Sequence, residues 1–177
     1  AVGDCPKWPN FVAQLVQPLK GKPRRELKTA QMSRPRRFSQ KKNITQDYLL
    51  IGYHGAKRLS KESLIFDIIT AILSKGQSGW LFDEIRTKRG LTYDLGIYHN
   101  PSKDYGVFAF YTSAKKDKIS IIEKLFFQAM DNLREISDDD LQEAISYIEG
   151  NFSVTMEDSH EEADRISFYE ECGDYAA

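Results

Sequence analysis

Cysteine is nearly absent, with only Cys5 and Cys172 near opposite ends of the 177 residues. Neither their number nor their spacing describes a disulfide framework or a thiolate metal cluster, so two inert thiols are the plainer reading. Long apolar runs are missing too. The best stretch, around Leu64 to Leu73, is interrupted by Asp67 and falls far short of the roughly 20 residues that a membrane span needs. The opening AVGDCPKWPNFV has no basic start leading into an apolar run and a small-residue cleavage site, and does not read as a signal peptide. The common nucleotide and nucleophile motifs are also lacking: there is no G-x-x-x-x-G-K-S/T, no G-x-G-x-x-G and no G-x-S-x-G, which leaves phosphate loops, dinucleotide turns and a nucleophile elbow without support. The three histidines, His54, His99 and His160, stand far apart. None lies in H-x-x-E-H, so a zinc site within this chain is not expected.

What is there is the composition of one globular domain: 41% hydrophobic, 12% aromatic, and 25 basic against 26 acidic side chains. A domain of this size buries roughly 70% of the surface of its unfolded chain, enough for a core without disulfides or a structural metal. The balanced charge conceals a gradient. Residues 1–42 hold 11 Lys or Arg against Asp4 and Glu26, while 137–177 hold 13 acids against Arg165 alone. With Pro18, Pro23 and Pro35 among its basic residues, the segment 1–43 reads as a linker leading into a domain over 44–177. Nucleic-acid binding through this arm is the weaker alternative, because Phe38 is the sole aromatic interleaved in its basic cluster and no nucleic-acid module follows. The acids at the other end alternate with Leu141, Ile145, Ile148 and Phe152, the pattern of solvated helix faces.

Periodicity orders the rest. Tyr48 to His54 reads as a buried strand in which Gly52 suggests a bulge or close approach. Ser60 then caps a helix with Leu64, Ile65, Ile68, Ile69, Ile72 and Leu73 inward, which SKGQSG over 74–79 ends. A second helix from Trp80 to Lys88 buries Leu81, Phe82 and Ile85 and stops where Gly90 supplies a left-handed cap. Thr92 to Tyr98 and Val107 to Thr112 form a hairpin. A long helix over 117–136 carries Ile119, Ile122, Leu125, Phe126, Ala129, Leu133 and Ile136 on one face. Two more helices, 138–153 and 160–172, begin at the capping-box pairs Ser137/Asp140 and Ser159/Glu162. Strands that come as a hairpin rather than as parallel crossovers predict an α+β fold, an antiparallel or mixed sheet with helices packed on one face.

The one unusual segment is SKGQSGWLFDEIRTKRGLTYDLG, from Ser74 to Gly96. A loop containing Gly76, Ser78 and Gly79 delivers a short helix bearing Arg86, and Gly90 turns the chain directly into a strand bearing Tyr93. A guanidinium fork and a phenol held beside one cleft suit peptide carbonyls or a developing oxyanion. The plainer alternative is an Arg bonding the last carbonyls of its helix and a Tyr filling a half-buried strand position.

This segment resembles the pitrilysin/insulinase family of zinc metallopeptidases, in particular the branch of the mitochondrial processing peptidase, through its S-x-L-F-x-E-I-R-x-K-x-G-L-x-Y type run. The upstream QDYLLIGYHG, the ILSKG helix end, the strand GVFAFYTSA and the acidic helices follow in family order, over about residues 44–172. The resemblance implies the C-terminal, non-zinc domain of a metalloendopeptidase, one that closes a chamber over an extended peptide with Arg86 and Tyr93 touching substrate. It implies zinc held elsewhere, by an N-terminal domain in cis or by a homologous subunit in trans. It places no catalytic residue and no metal ligand in this chain, which alone should be inactive. The family's last strand and helix are not found before GDYAA, so the chain reads as part of a longer protein. A structural or assembly subunit of the same fold is the alternative that the resemblance leaves. The compartment stays open, with a soluble cytoplasmic protein favoured over a periplasmic or organellar one.

Overall fold

The computed structural model describes residues 36–172, together with Asn10 and Arg34. The chain forms two compact units, 30–150 and 1–29 with 151–177. Most of the basic leading segment, and Cys5 with it, lies outside the described residues.

In the first unit, β1 (Asp47–Gly55), β2 (Asp94–Pro101) and β3 (Gly106–Ala114) form an antiparallel sheet in the order β1-β3-β2. The expected hairpin is β2 and β3, joined by four residues and in register from Asp94↔Ser113 to Pro101↔Gly106. The first strand pairs with the far side of β3, from Asp47↔Ala114 to Gly55↔Gly106. Alternation along β3 sends Phe108, Phe110, Thr112 and Ala114 to one face, and α1 (Lys61–Ser74), α2 (Trp80–Phe82, continuing to Thr87) and α3 (Lys116–Asn132) supply apolar side chains to the same core. From α3 come Ile122, Leu125, Phe126 and Ala129, buried as the period predicts, with Phe126 stacked on Phe110 at 4.8 Å between centroids. Burial of each such large side chain is worth roughly 1.5–3 kcal/mol. The helices lie on one face, as expected for the α+β class. A 3₁₀ turn, Leu133–Glu135, follows α3, and α4 (Asp138–Thr155) starts at a cap in which the Asp140 amide donates to Ser137 Oγ at 3.1 Å and the Ser137 hydroxyl donates to Asp140 Oδ2 at 2.6 Å.

Three expectations need correction. The first strand is not a buried one: Leu49 and Ile51 turn to the core, whereas Tyr48 and Leu50 are 73% and 67% exposed. Among the described residues it is an edge strand with helices on one face only. Gly52 makes no bulge and faces open space. On α1, Leu64 and Ile65 are exposed, and the buried residue of that turn is Ser63. The reason is a polar cluster beneath it. His99, buried, lies with Nδ1 2.8 Å from Asp67 Oδ1 and Nε2 3.1 Å from the Ala56 carbonyl oxygen, and Arg58 donates to Asp67 Oδ2 at 2.9 Å and approaches Ser63 Oγ at 3.5 Å. The first turn of α1 therefore directs Ser63 inward and its aliphatic residues out.

In the second unit the described residues are Asn10, the end of α4, the turn 156–158 and α5 (Ser159–Cys172). The cap of α5 sits one residue earlier than expected, because the His160 amide donates to Asp158 Oδ1 at 2.7 Å. The Arg165 guanidinium lies 5.6 Å from the Phe152 ring centre.

Candidate functional site

The loop between α1 and α2 is fixed at several points. Lys75 takes left-handed backbone (φ 31°) as the C-cap of α1, its amide donating to Ala71 O at 2.7 Å, and Gly76 follows at φ 66°. The largely buried Lys75 ammonium pairs with Glu143 of α4 at 2.6 Å. Ser78 Oγ donates to Lys75 O at 3.1 Å and the Gly79 amide to Ser74 O at 2.9 Å. Gly79 is needed for space: a Cβ there would stand 2.4 Å from the Leu73 carbonyl carbon and the Ser74 nitrogen.

The helix that follows is not uniform. After one α-turn over Trp80–Phe82, the stretch Asp83–Thr87 is wound as a π-helix, with the Lys88 amide donating to Asp83 O at 2.8 Å. Single π-turns of this kind recur at functional sites. Leu81, Phe82 and Ile85 are buried as expected. Gly90 ends the helix at φ 56°, its amide bonded to Arg86 O and that of Leu91 to Ile85 O, the crossed pair of a left-handed cap. Three residues later comes Tyr93, 82% exposed.

These turns bring Arg86, Tyr93 and Gly76 to one cleft of about 400 Å³, walled further by Tyr111, Tyr147 and the β2 backbone at Gly96. Ser78, Gly79 and Gly90 support the loop and turn but do not line it. Arg86 Nη1 donates to Gln77 Oε1 at 2.6 Å, and its Cζ lies 5.4 Å from the Tyr93 ring centre, a cation–π contact. Among the described residues no carboxylate stands within ion-pair distance of Arg86. The nearby Asp94 is engaged on its own account, accepting from Ser113 Oγ at 2.5 Å. The Tyr111 ring lies over Gly96, where any Cβ would fall 2.4 Å from it. The cleft thus offers a half-buried positive fork with aromatic walls, suited to carbonyl or carboxylate oxygens.

Sequence reasoning missed Gln77, Tyr111 and Tyr147. Tyr111 had a signal: in GVFAFYTSA it alternates away from Phe108 and Phe110, which sends it to the open face. For Gln77 there was none beyond its place in the loop.

A family model for the peptidase M16 inactive domain matches residues 3–148. The chain belongs to the peptidase M16 inactive-domain family. It is 26% identical over 129 residues to an uncharacterized zinc protease of Streptomyces coelicolor, covering 72% of this chain and 28% of that protein. A zinc protease of Rickettsia bellii, also uncharacterized, is 29% identical over 118 residues, covering 66% and 29%. A protease from Helicobacter pylori has the same fold, with a TM-score of 0.67 at 19% identity over 76% of this chain and 33% of that one. The chain therefore spans under a third of the length of these curated relatives. Among the described residues no three His, Cys, Asp or Glu side chains are grouped to hold a metal, so these residues do not fit the zinc of the relatives' names. No described helix is long and apolar enough to cross a membrane.

Proposed function

We propose that this M16 inactive domain is the substrate-binding part of a zinc endopeptidase, which closes over an extended peptide while zinc and the water it activates are held by a zinc-bearing domain in cis or a homologous subunit in trans. Arg86 donates hydrogen bonds to peptide carbonyl oxygens near the scissile bond, and Tyr93, its ring centre 5.4 Å from the guanidinium carbon, adds another donor. The observation that carries this reading is a half-buried Arg86 without a carboxylate partner among the described residues, held in a cleft of about 400 Å³. Burying part of a charge without an opposing one costs stability, and a ligand oxygen offsets that cost.

The test is Arg86→Ala in the complete zinc-bearing protein, with cleavage of an internally quenched, unstructured peptide as readout. Turnover should fall by about a hundredfold, the scale for losing a donor to developing negative charge, while zinc content stays at the wild-type level. Undiminished turnover overturns the reading.

A further inference from the structure

We propose that Gln77 is the positioning residue of Arg86, and that its being a neutral amide keeps the guanidinium charge available to substrate. This rests on the role given to Arg86 above.

The guanidinium carries five N–H donors in a rigid fork. One is committed to Gln77 Oε1, and the guanidinium carbon lies 5.4 Å from the Tyr93 ring centre. Both of these partners are uncharged, so among the described residues they fix the position of Arg86 and leave its charge unspent. Gln77 can serve as an anchor because its backbone is itself anchored. It lies between Gly76 and Ser78 in the loop tied by Lys75 to Glu143, by Ser78 to Lys75 and by Gly79 to Ser74. With Oε1 accepting from Arg86, the amide nitrogen keeps two donors of its own beside the fork, which widens the donor set facing the cleft.

For stability alone, a different residue would be favoured at position 77. A glutamate reaches as far as a glutamine and would give a shorter, stronger, charge-assisted bond to Arg86. The neighbouring cations on the same helix take such partners: Lys88 pairs with Asp83 and Glu84, and Arg89 with Glu84. Arg86 alone of the three is given an amide. The choice is understandable if the charge must remain for something that arrives later.

The inference separates stability from activity, so it can be tested with Gln77→Glu, Gln77→Met and Arg86→Ala in the complete zinc-bearing protein, read by thermal unfolding, zinc content and cleavage of a quenched unstructured peptide. Gln77→Glu should unfold at the wild-type temperature or above, yet lose about a hundredfold in kcat/KM, the loss also expected of Arg86→Ala, because the guanidinium is neutralised in place. Gln77→Met keeps the shape without the acceptor and should lose roughly tenfold, the scale of one hydrogen bond to a charged group. Wild-type kcat/KM in Gln77→Glu overturns the inference, since a merely structural amide would tolerate the stronger bond. If Arg86→Ala is itself fully active, the functional reading falls and this inference with it. If Arg86→Ala is impaired while Gln77→Glu is not, only the role of Gln77 fails.

Discussion

The two sides of one short helix treat their cations in opposite ways. On one side Lys88 and Arg89 border a cavity of about 510 Å³ together with Asp83, Glu84 and Glu135, and every cation there has an acid within reach. On the other side Arg86 enters a smaller cleft with a glutamine and a tyrosine for company. The paired side is self-contained, and its charges serve local structure. On the other side, where Arg86 has no acidic partner among the described residues, the geometry is maintained by a tied loop, a π-turn and a glycine cap, none of which Arg86 would need merely to bond the end of its own helix. Arg86 is thus the cation of this helix that has no acid within reach among the described residues.

Gly79→Ala is the strongest way to break that contrast by structure alone. The glycine's φ of −70° suits any residue, so the whole cost comes from space, where the new methyl would meet the last-turn backbone of α1. Overpacking of this sort typically costs about 1–3 kcal/mol. The urea midpoint should fall accordingly and the loop should shift, taking Gln77 from Arg86 while the Lys88 side keeps its ion pairs. An unchanged midpoint would mean that the loop is less tightly seated than the contact implies.

Gly90→Ala should cost less, for the opposite reason. Nothing lies within 4 Å of a Cβ placed there, so space is free and conformation alone is charged, at φ 56°. Left-handed backbone costs an L-residue about 1–2 kcal/mol, and Gly90→Asn should lose less than Gly90→Ala because Asn tolerates that region. Equal losses in the two variants would show that the turn between Arg86 and Tyr93 is not held in the left-handed region.

These glycines also show what was legible in the sequence. Gly90 could be read because a glycine just past an apolar helical pattern has one common use, and the face of α3 could be read because its apolar spacing matches the one layer it covers. The capping pair Ser137 and Asp140 was local and visible for the same reason. What could not be read depends on partners far along the chain. The exposure of Leu64 and Ile65 follows from Asp67 meeting His99, 32 residues away. The edge position of β1 follows from which side of β3 was left open to it. The candidate site was half legible: Arg86, Tyr93 and the glycines stood out, whereas Gln77 became meaningful only once the π-wound stretch had set Arg86 beside it.

The smallest effect belongs to the paired side, and its pH behaviour sharpens the comparison. Hydrogen bonding to Glu84 first and Asp83 second raises the Lys88 ammonium to about 12, from an ordinary 10.5, and the Lys88 contact holds the Glu84 carboxyl below its ordinary range. A depressed carboxyl contributes stability above its unfolded pKa and loses it as pH falls through the folded value. A raised ammonium contributes below its unfolded pKa and loses it as pH rises through about 12. The cluster therefore works at full strength across the neutral range and fails only at the two extremes. Because its groups are well exposed, solvent and salt screen it, and such pairs are worth little. Lys88→Ala should shift the urea midpoint less than Gly90→Ala and leave peptide turnover intact, while NMR titration shows the Glu84 carboxyl returning toward its ordinary value. A loss of turnover like that expected of Arg86→Ala would place the substrate on the wrong side of the helix and dissolve the distinction between a charge that is spent and one that is kept.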